Sequence, residues 1–185
     1  MASPELRTPA PRSIVTTAFK GVLFALLVSN TAAYLLVGTT SEALDSLAWL
    51  ILLALFTLET GDAERFRAGR ANTVIRFVRI IAAFTLVAAL VGYWRQREWL
   101  DVANVALWIG VVGLLEFGVR RPEVVARHRR TFVFASVTLF TALVGLVLAW
   151  VLRREWFDAY DAALWLAAFA MLEAGLLDRI GKRRA

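Results

Sequence analysis

Six apolar blocks dominate the chain: Thr17 to Gly38, Ala43 to Leu58, Val74 to Trp94, Trp99 to Val119, Thr131 to Leu152 and Trp156 to Leu177. Most approach the ~20 residues that a helix needs to cross about 30 Å of hydrocarbon. With 59% hydrophobic and only 19% charged residues, the chain does not have the composition of a soluble domain of its 185-residue length. The expectation is an all-α polytopic membrane protein with six transmembrane helices. The second block is the shortest. It spans only if the helix continues through Thr60 to Phe66, and a re-entrant segment is the alternative. Lys20, Arg76 and Arg79 are tolerable near helix ends, where long basic side chains reach the headgroups.

The net charge of +6 would suggest nucleic acid in a soluble protein, but the 21 Lys and Arg sit between the apolar blocks. Seventeen fall on one side: Arg7, Arg12 and Lys20; Arg65, Arg67, Arg70, Arg76 and Arg79; Arg120, Arg121, Arg127, Arg129 and Arg130; Arg179, Lys182, Arg183 and Arg184. Four fall on the other, Arg95, Arg97, Arg153 and Arg154. This asymmetry puts both termini in the cytoplasm, places the chain in the cytoplasmic (inner) membrane, and turns the basic loops toward anionic lipid rather than nucleic acid. The first apolar run is too long for a secretory signal and reads as a retained helix.

Zero cysteines exclude disulfides, iron–sulfur clusters and thiolate chemistry. The single histidine, His128, reads as a solvated loop residue and cannot supply a bis-histidine haem or a multi-histidine metal centre. With no Ser-His-Asp set and no phosphate-binding glycine loop, neither an enzyme nor a cofactor is expected.

Residues 91–119 and 148–176 match at an offset of 57: Glu98 with Glu155, Trp99 with Trp156, Asp101 with Asp158, Asn104 with Asp161, Trp108 with Trp165 and Glu116 with Glu173. A weaker first copy carries Glu42 and Asp45 at an offset of 56 and Glu59 at 57, without tryptophans at the matching positions. The chain therefore divides into an arm (1–16), a diverged first hairpin repeat (17–66), a second (74–119), a third (131–177) and a basic tail (178–185). Parallel hairpins imply pseudo-threefold symmetry about the membrane normal. The layout is similar to that of mitochondrial carriers, but the Pro-x-Asp/Glu-x-x-Lys/Arg motif is missing. Glutamate-bearing hairpins are similar to rotary-ATPase ring subunits, but the glycine-rich helix is missing, and neither family is carried over.

Asp45, Asp101 and Asp158 open the even-numbered spans, with Asn104 and Asp161 one turn further on. They read as helix caps or as an outer acidic vestibule, with Trp99 and Trp156 as interfacial anchors. From Asp101, the residues Asn104, Trp108, Val112 and Leu115 share a face, with Glu116 about 60° to the other side. Glu59, Glu116 and Glu173 near the cytoplasmic boundary are the ion-binding candidates, because an ionisable group inside a span is costly. Their structural alternative is ion pairing with the arginine belt, Glu116 with Arg120 four residues on. Oxygen ligands suit a monovalent cation, a proton or a hard divalent ion. In the first span Ser29, Asn30 and Thr31 form the costliest polar cluster. Small residues such as Ala88 and Gly92 favour close packing, in a compact bundle, a homo-oligomer or against a membrane partner. The functional expectation is a small cation or proton channel or transporter. The alternative is a non-transporting scaffold or accessory subunit.

Overall fold

The computed structural model describes residues 11–61 and 70–182. The described chain is helical almost throughout. Its elements are α1 (Pro11–Val37), α2 (Thr40–Gly61), α3 (Arg70–Gln96), α4 (Trp99–Arg120), the short α5 (Pro122–Arg127), α6 (Arg129–Arg153) and α7 (Trp156–Lys182). Residues 1–10 of the expected arm, with Arg7, lie outside the described residues, as do Arg65, Arg67, Arg183 and Arg184. The side chains of Glu59, Glu173, Arg12, Arg70, Arg179 and Lys182 lie outside them too. Helix α1 is described from Pro11 onward, so residues 11–16 of the stretch read as an arm are helical.

Among the described residues, five helices are long and apolar enough to cross a membrane: Ala18–Val37, Thr40–Leu58, Asn72–Gln96, Trp99–Gly118 and Arg129–Arg153. The protein is therefore an integral, multi-pass helical membrane protein. The second block, the shortest in sequence, gains length because α2 starts at Thr40, ahead of the apolar run, and continues to Gly61. Outward faces carry Phe77, Phe84, Val137 and Leu148, each exposed, as a lipid-facing surface requires. Trp94, Trp99 and Trp156 are exposed at one end, where indoles anchor to the interface, and Trp94 and Trp99 meet edge to face at 5.1 Å.

Packing joins the long helices into a closed ring: α1 on α2, α2 on α3, α3 on α4, α4 on α6, α6 on α7, and α7 back on α1. The three short connections at 38–39, 97–98 and 154–155 gather at one end, shown by Tyr34 of α1 packing its ring at 4.9 Å from Phe157 of α7. Helices α2 and α3 approach closely at Gly92, where an added Cβ would run into Ser41 Oγ. Glycine permits that approach, as close-packed membrane helices require. The core holds Leu27, Leu86 and Leu143, one from each of α1, α3 and α6, against Trp49, Trp108 and Trp165, one from each of α2, α4 and α7.

Candidate functional site

The helix connections set the geometry of the turn end. At Gly38 the backbone N–H bonds to Tyr34 O at 3.0 Å. The next helix is then started by a reciprocal capping pair, Thr39 N–H to the Glu42 carboxylate and Glu42 N–H to Thr39 Oγ1. The other two connections close differently. Arg97 (φ 63°) and Arg154 (φ 65°) take the left-handed conformation, and the following Glu98 and Glu155 N–H groups bond back to Tyr93 O (3.1 Å) and Trp150 O (3.0 Å). Glu98, the N-cap of α4, makes no side-chain capping bond. At the start of α2 the capping pair is made by Thr39 and Glu42 rather than by Asp45, the residue for which a capping role was expected.

Such short turns fix where the polar side chains fall. Glu42, Asp101 and Asp158 are each the third residue of their helix; Asp45, Asn104 and Asp161 are each the sixth; Trp49, Trp108 and Trp165 are each the tenth. On the preceding helices Tyr34, Tyr93 and Trp150 each stand four residues before the turn residue, and all three are buried. The five carboxylates, together with Asn104, Tyr34, Tyr93 and Trp150, line one cavity of about 330 Å³ including its open mouth. Among the described residues no basic side chain lines it. Asp45, Asn104 and Asp161 also bound a second space of about 280 Å³, whose other walls are Trp49, Trp108 and Trp165. At 1.5 Å per residue the indoles lie about 6 Å deeper than the residues one turn before them.

Neutral donors from α1 hold part of the cluster. Asn30 Nδ2 donates to Asp161 Oδ1 at 2.8 Å, and the Tyr34 hydroxyl donates to Asp158 Oδ1 at 2.9 Å. Thr31 and Ser46 hydroxyls bond to each other at 2.8 Å, and Thr31 also reaches Leu27 O. Of the first-span cluster, Ser29 alone turns away, exposed and bonded to Ala25 O on its own helix. Three fully buried atoms have no hydrogen-bond partner among the described residues: Asp45 Oδ1, Asn104 Oδ1 and Trp49 Nε1. Leaving such a group unsatisfied costs about 1–3 kcal/mol, so their presence in a cavity wall marks a place for a missing partner.

The tryptophan layer closes the interior beneath the cavity. Trp49 lies 6.2 Å from Trp108 and 6.4 Å from Trp165 between ring centroids, both tilted by nearly 60°. Trp108 stacks further on Phe169 at 4.6 Å. Tilted contacts of this kind match the ring quadrupoles.

Of the residues singled out in the sequence, the structure brings together those read as helix caps or an outer acidic vestibule: Asp45, Asp101, Asp158, Asn104 and Asp161. Glu116 is elsewhere. It is exposed on α4 and paired with Arg120, whose Nε lies 2.6 Å from Glu116 Oε1. The expected face also rotates along α4: Trp108 and Val111 are buried, whereas Val112 and Leu115 are exposed. The inward spacing is 3–4–3, and Glu116 falls off it.

Trp49, Tyr34, Tyr93 and Trp150 are site residues that the 57-residue matching missed. The signal was present. Glu42-x-x-Asp45-x-x-x-Trp49, Asp101-x-x-Asn104-x-x-x-Trp108 and Asp158-x-x-Asp161-x-x-x-Trp165 share one spacing, with the first shifted by 59 rather than 56. Counted from the helix starts, Glu42 takes the position of Asp101, Asp45 that of Asn104, and Trp49 that of Trp108. Comparison with protein-family models, with curated proteins and with solved structures returns no match.

Proposed function

We propose that the chain is a six-span protein of the cytoplasmic membrane, with α7 as its sixth span and both termini inside, that binds and passes a small monovalent cation or proton. Three hairpin repeats supply its site, in the register 59 then 57 set by the helix starts. The reading moves the ion site from Glu59, Glu116 and Glu173 to the turn-end carboxylates. It is carried by one observation: five carboxylates from three helices share a cavity that no basic side chain lines. Carboxylates crowded in low-dielectric surroundings favour a bound cation or proton, because either relieves their mutual repulsion. The basic loops at the opposite end face anionic headgroups. No catalytic chemistry is assigned.

Cation and proton flux into proteoliposomes tests this, wild type beside the Asp45→Asn/Asp161→Asn double variant, with folding checked by gel filtration. Loss of flux in the folded variant is the expected result. Undiminished flux in the variant overturns the site, and no flux from folded wild type favours a second reading, a non-transporting scaffold or accessory subunit. Two observations favour that second reading: the tryptophan layer across the interior, and the Glu116–Arg120 pair, which is a structural use of a carboxylate.

A further inference from the structure

We infer that the ligand of the turn-end cavity is a small primary organic ammonium, a protonated amine of methylammonium size, rather than a bare metal ion; this rests on the cation-binding reading above. Three features carry it. First, among the described residues no three carboxylate or imidazole groups converge to hold a metal ion, although five carboxylates line the space. A hard cation stripped of water needs several oxygens at 2.0–2.6 Å. Carboxylates set wider apart suit a ligand that reaches them through its own N–H groups.

Second, two of the three unpartnered atoms, Asp45 Oδ1 and Asn104 Oδ1, are buried acceptors whose residues line both spaces; the third, Trp49 Nε1, is a donor in the wall of the lower one. A primary ammonium brings three N–H donors on one nitrogen, whereas a quaternary ammonium brings none. Third, the remaining walls are aromatic: Tyr34, Tyr93 and Trp150 around the carboxylates, with Trp49, Trp108 and Trp165 below. Aromatic faces attract organic cations and accept alkyl groups, while a strongly hydrated metal ion gains less from them. Each of the two adjoining spaces holds water-sized occupants within about 20 Å³. That is room for about one water-sized group in each, which limits the ligand to a few heavy atoms.

The test is a tryptophan-emission titration of the full-length protein in detergent, at fixed ionic strength, with methylammonium, tetramethylammonium and sodium chlorides in turn. Four indoles line the two spaces, so occupancy changes their emission. A saturable response to methylammonium is expected, with tetramethylammonium and sodium each at least about tenfold weaker, a difference of about 1.4 kcal/mol. Asp45→Asn and Asn104→Leu should each weaken the methylammonium response by a similar factor. Should either variant fail to fold, the wild-type ion series decides alone. A sodium response equal to or stronger than that of methylammonium overturns the ammonium assignment and leaves the cation site standing. Equal binding of tetramethylammonium overturns the role of the two acceptors. No saturable response to any of the salts overturns the inference, and if proteoliposome flux is also missing, the cation reading falls with it.

Discussion

The two ends of the bundle use the same functional group in opposite ways. At the turn end, carboxylates enter the protein and meet neutral partners, Asn30 on Asp161 and Tyr34 on Asp158, with one Asp45 oxygen left unpartnered. At the other end, Glu116 stands on the outside of its helix and pairs with an arginine four residues away. A neutral partner orients a carboxylate and leaves its charge for a third party; an arginine neutralises it. Proximity of acidic residues to a membrane boundary is therefore no guide to function without knowing which partner each one has.

The comparison can be broken most directly by charge removal. Asp45→Asn with Asp161→Asn should lower cation flux by roughly tenfold or more, whereas Glu116→Gln should leave it within about twofold; equal effects would erase the distinction. The interior layer beneath the cavity is next. Trp49→Ala should cost about 3–5 kcal/mol of stability in detergent unfolding, since it removes an indole held between two others. Gly92→Leu should cost about 1–3 kcal/mol by driving a side chain into Ser41, while Gly113→Leu, with nothing within 4 Å of its added Cβ, should be near neutral. Tyr34→Phe, which deletes the hydroxyl on Asp158, should cost about 0.6–1.7 kcal/mol, the range for hydrogen bonds between membrane helices. Smallest of all, loss of the exposed Glu116–Arg120 pair in Glu116→Gln should cost about 0.2–0.5 kcal/mol, measured in the same unfolding assay.

The architecture was legible because hydrophobic length and flanking charge are local properties: the blocks from Thr17, Val74, Trp99 and Thr131 each coincide with a helix long enough to span. The turn-end acidic residues were legible too, because they stand beside breaks in hydropathy. The proposed register of the first hairpin was not. The first copy was matched at 56 for Glu42 and Asp45 and at 57 for Glu59, and relative to the helix starts Glu59 stands two residues later than Glu116 and Glu173. An offset of 56 sets Glu42 against Glu98 rather than Asp101 and hides Trp49. Tyr34, Tyr93 and Trp150 recur in the same register, 59 and then 57 residues apart, but at 57 a tyrosine meets a tryptophan and Tyr34 lies at 59, so matching identical residues at one offset passed over them. Glu116 takes the structural alternative read in the sequence, the ion pair with Arg120 four residues on, and a geometric reason keeps it off the inward face. The inward residues of α4 follow a 3–4–3 spacing, and a 100° projection from Asp101 drifts off that line within four turns.

The bonds from Asn30 to Asp161 and from Tyr34 to Asp158 cross 131 and 124 residues of chain. That separation sets a timetable for biogenesis. The first helix is synthesised and placed in the bilayer long before its two acceptors exist, so Asn30 and Tyr34 wait in the membrane with their final partners still unmade. Arrival of α7 closes the ring and supplies both acceptors in the same event. Truncated or stalled chains therefore hold an open polar seam on their first helix, the kind of feature by which quality control can tell an unfinished membrane protein from a finished one.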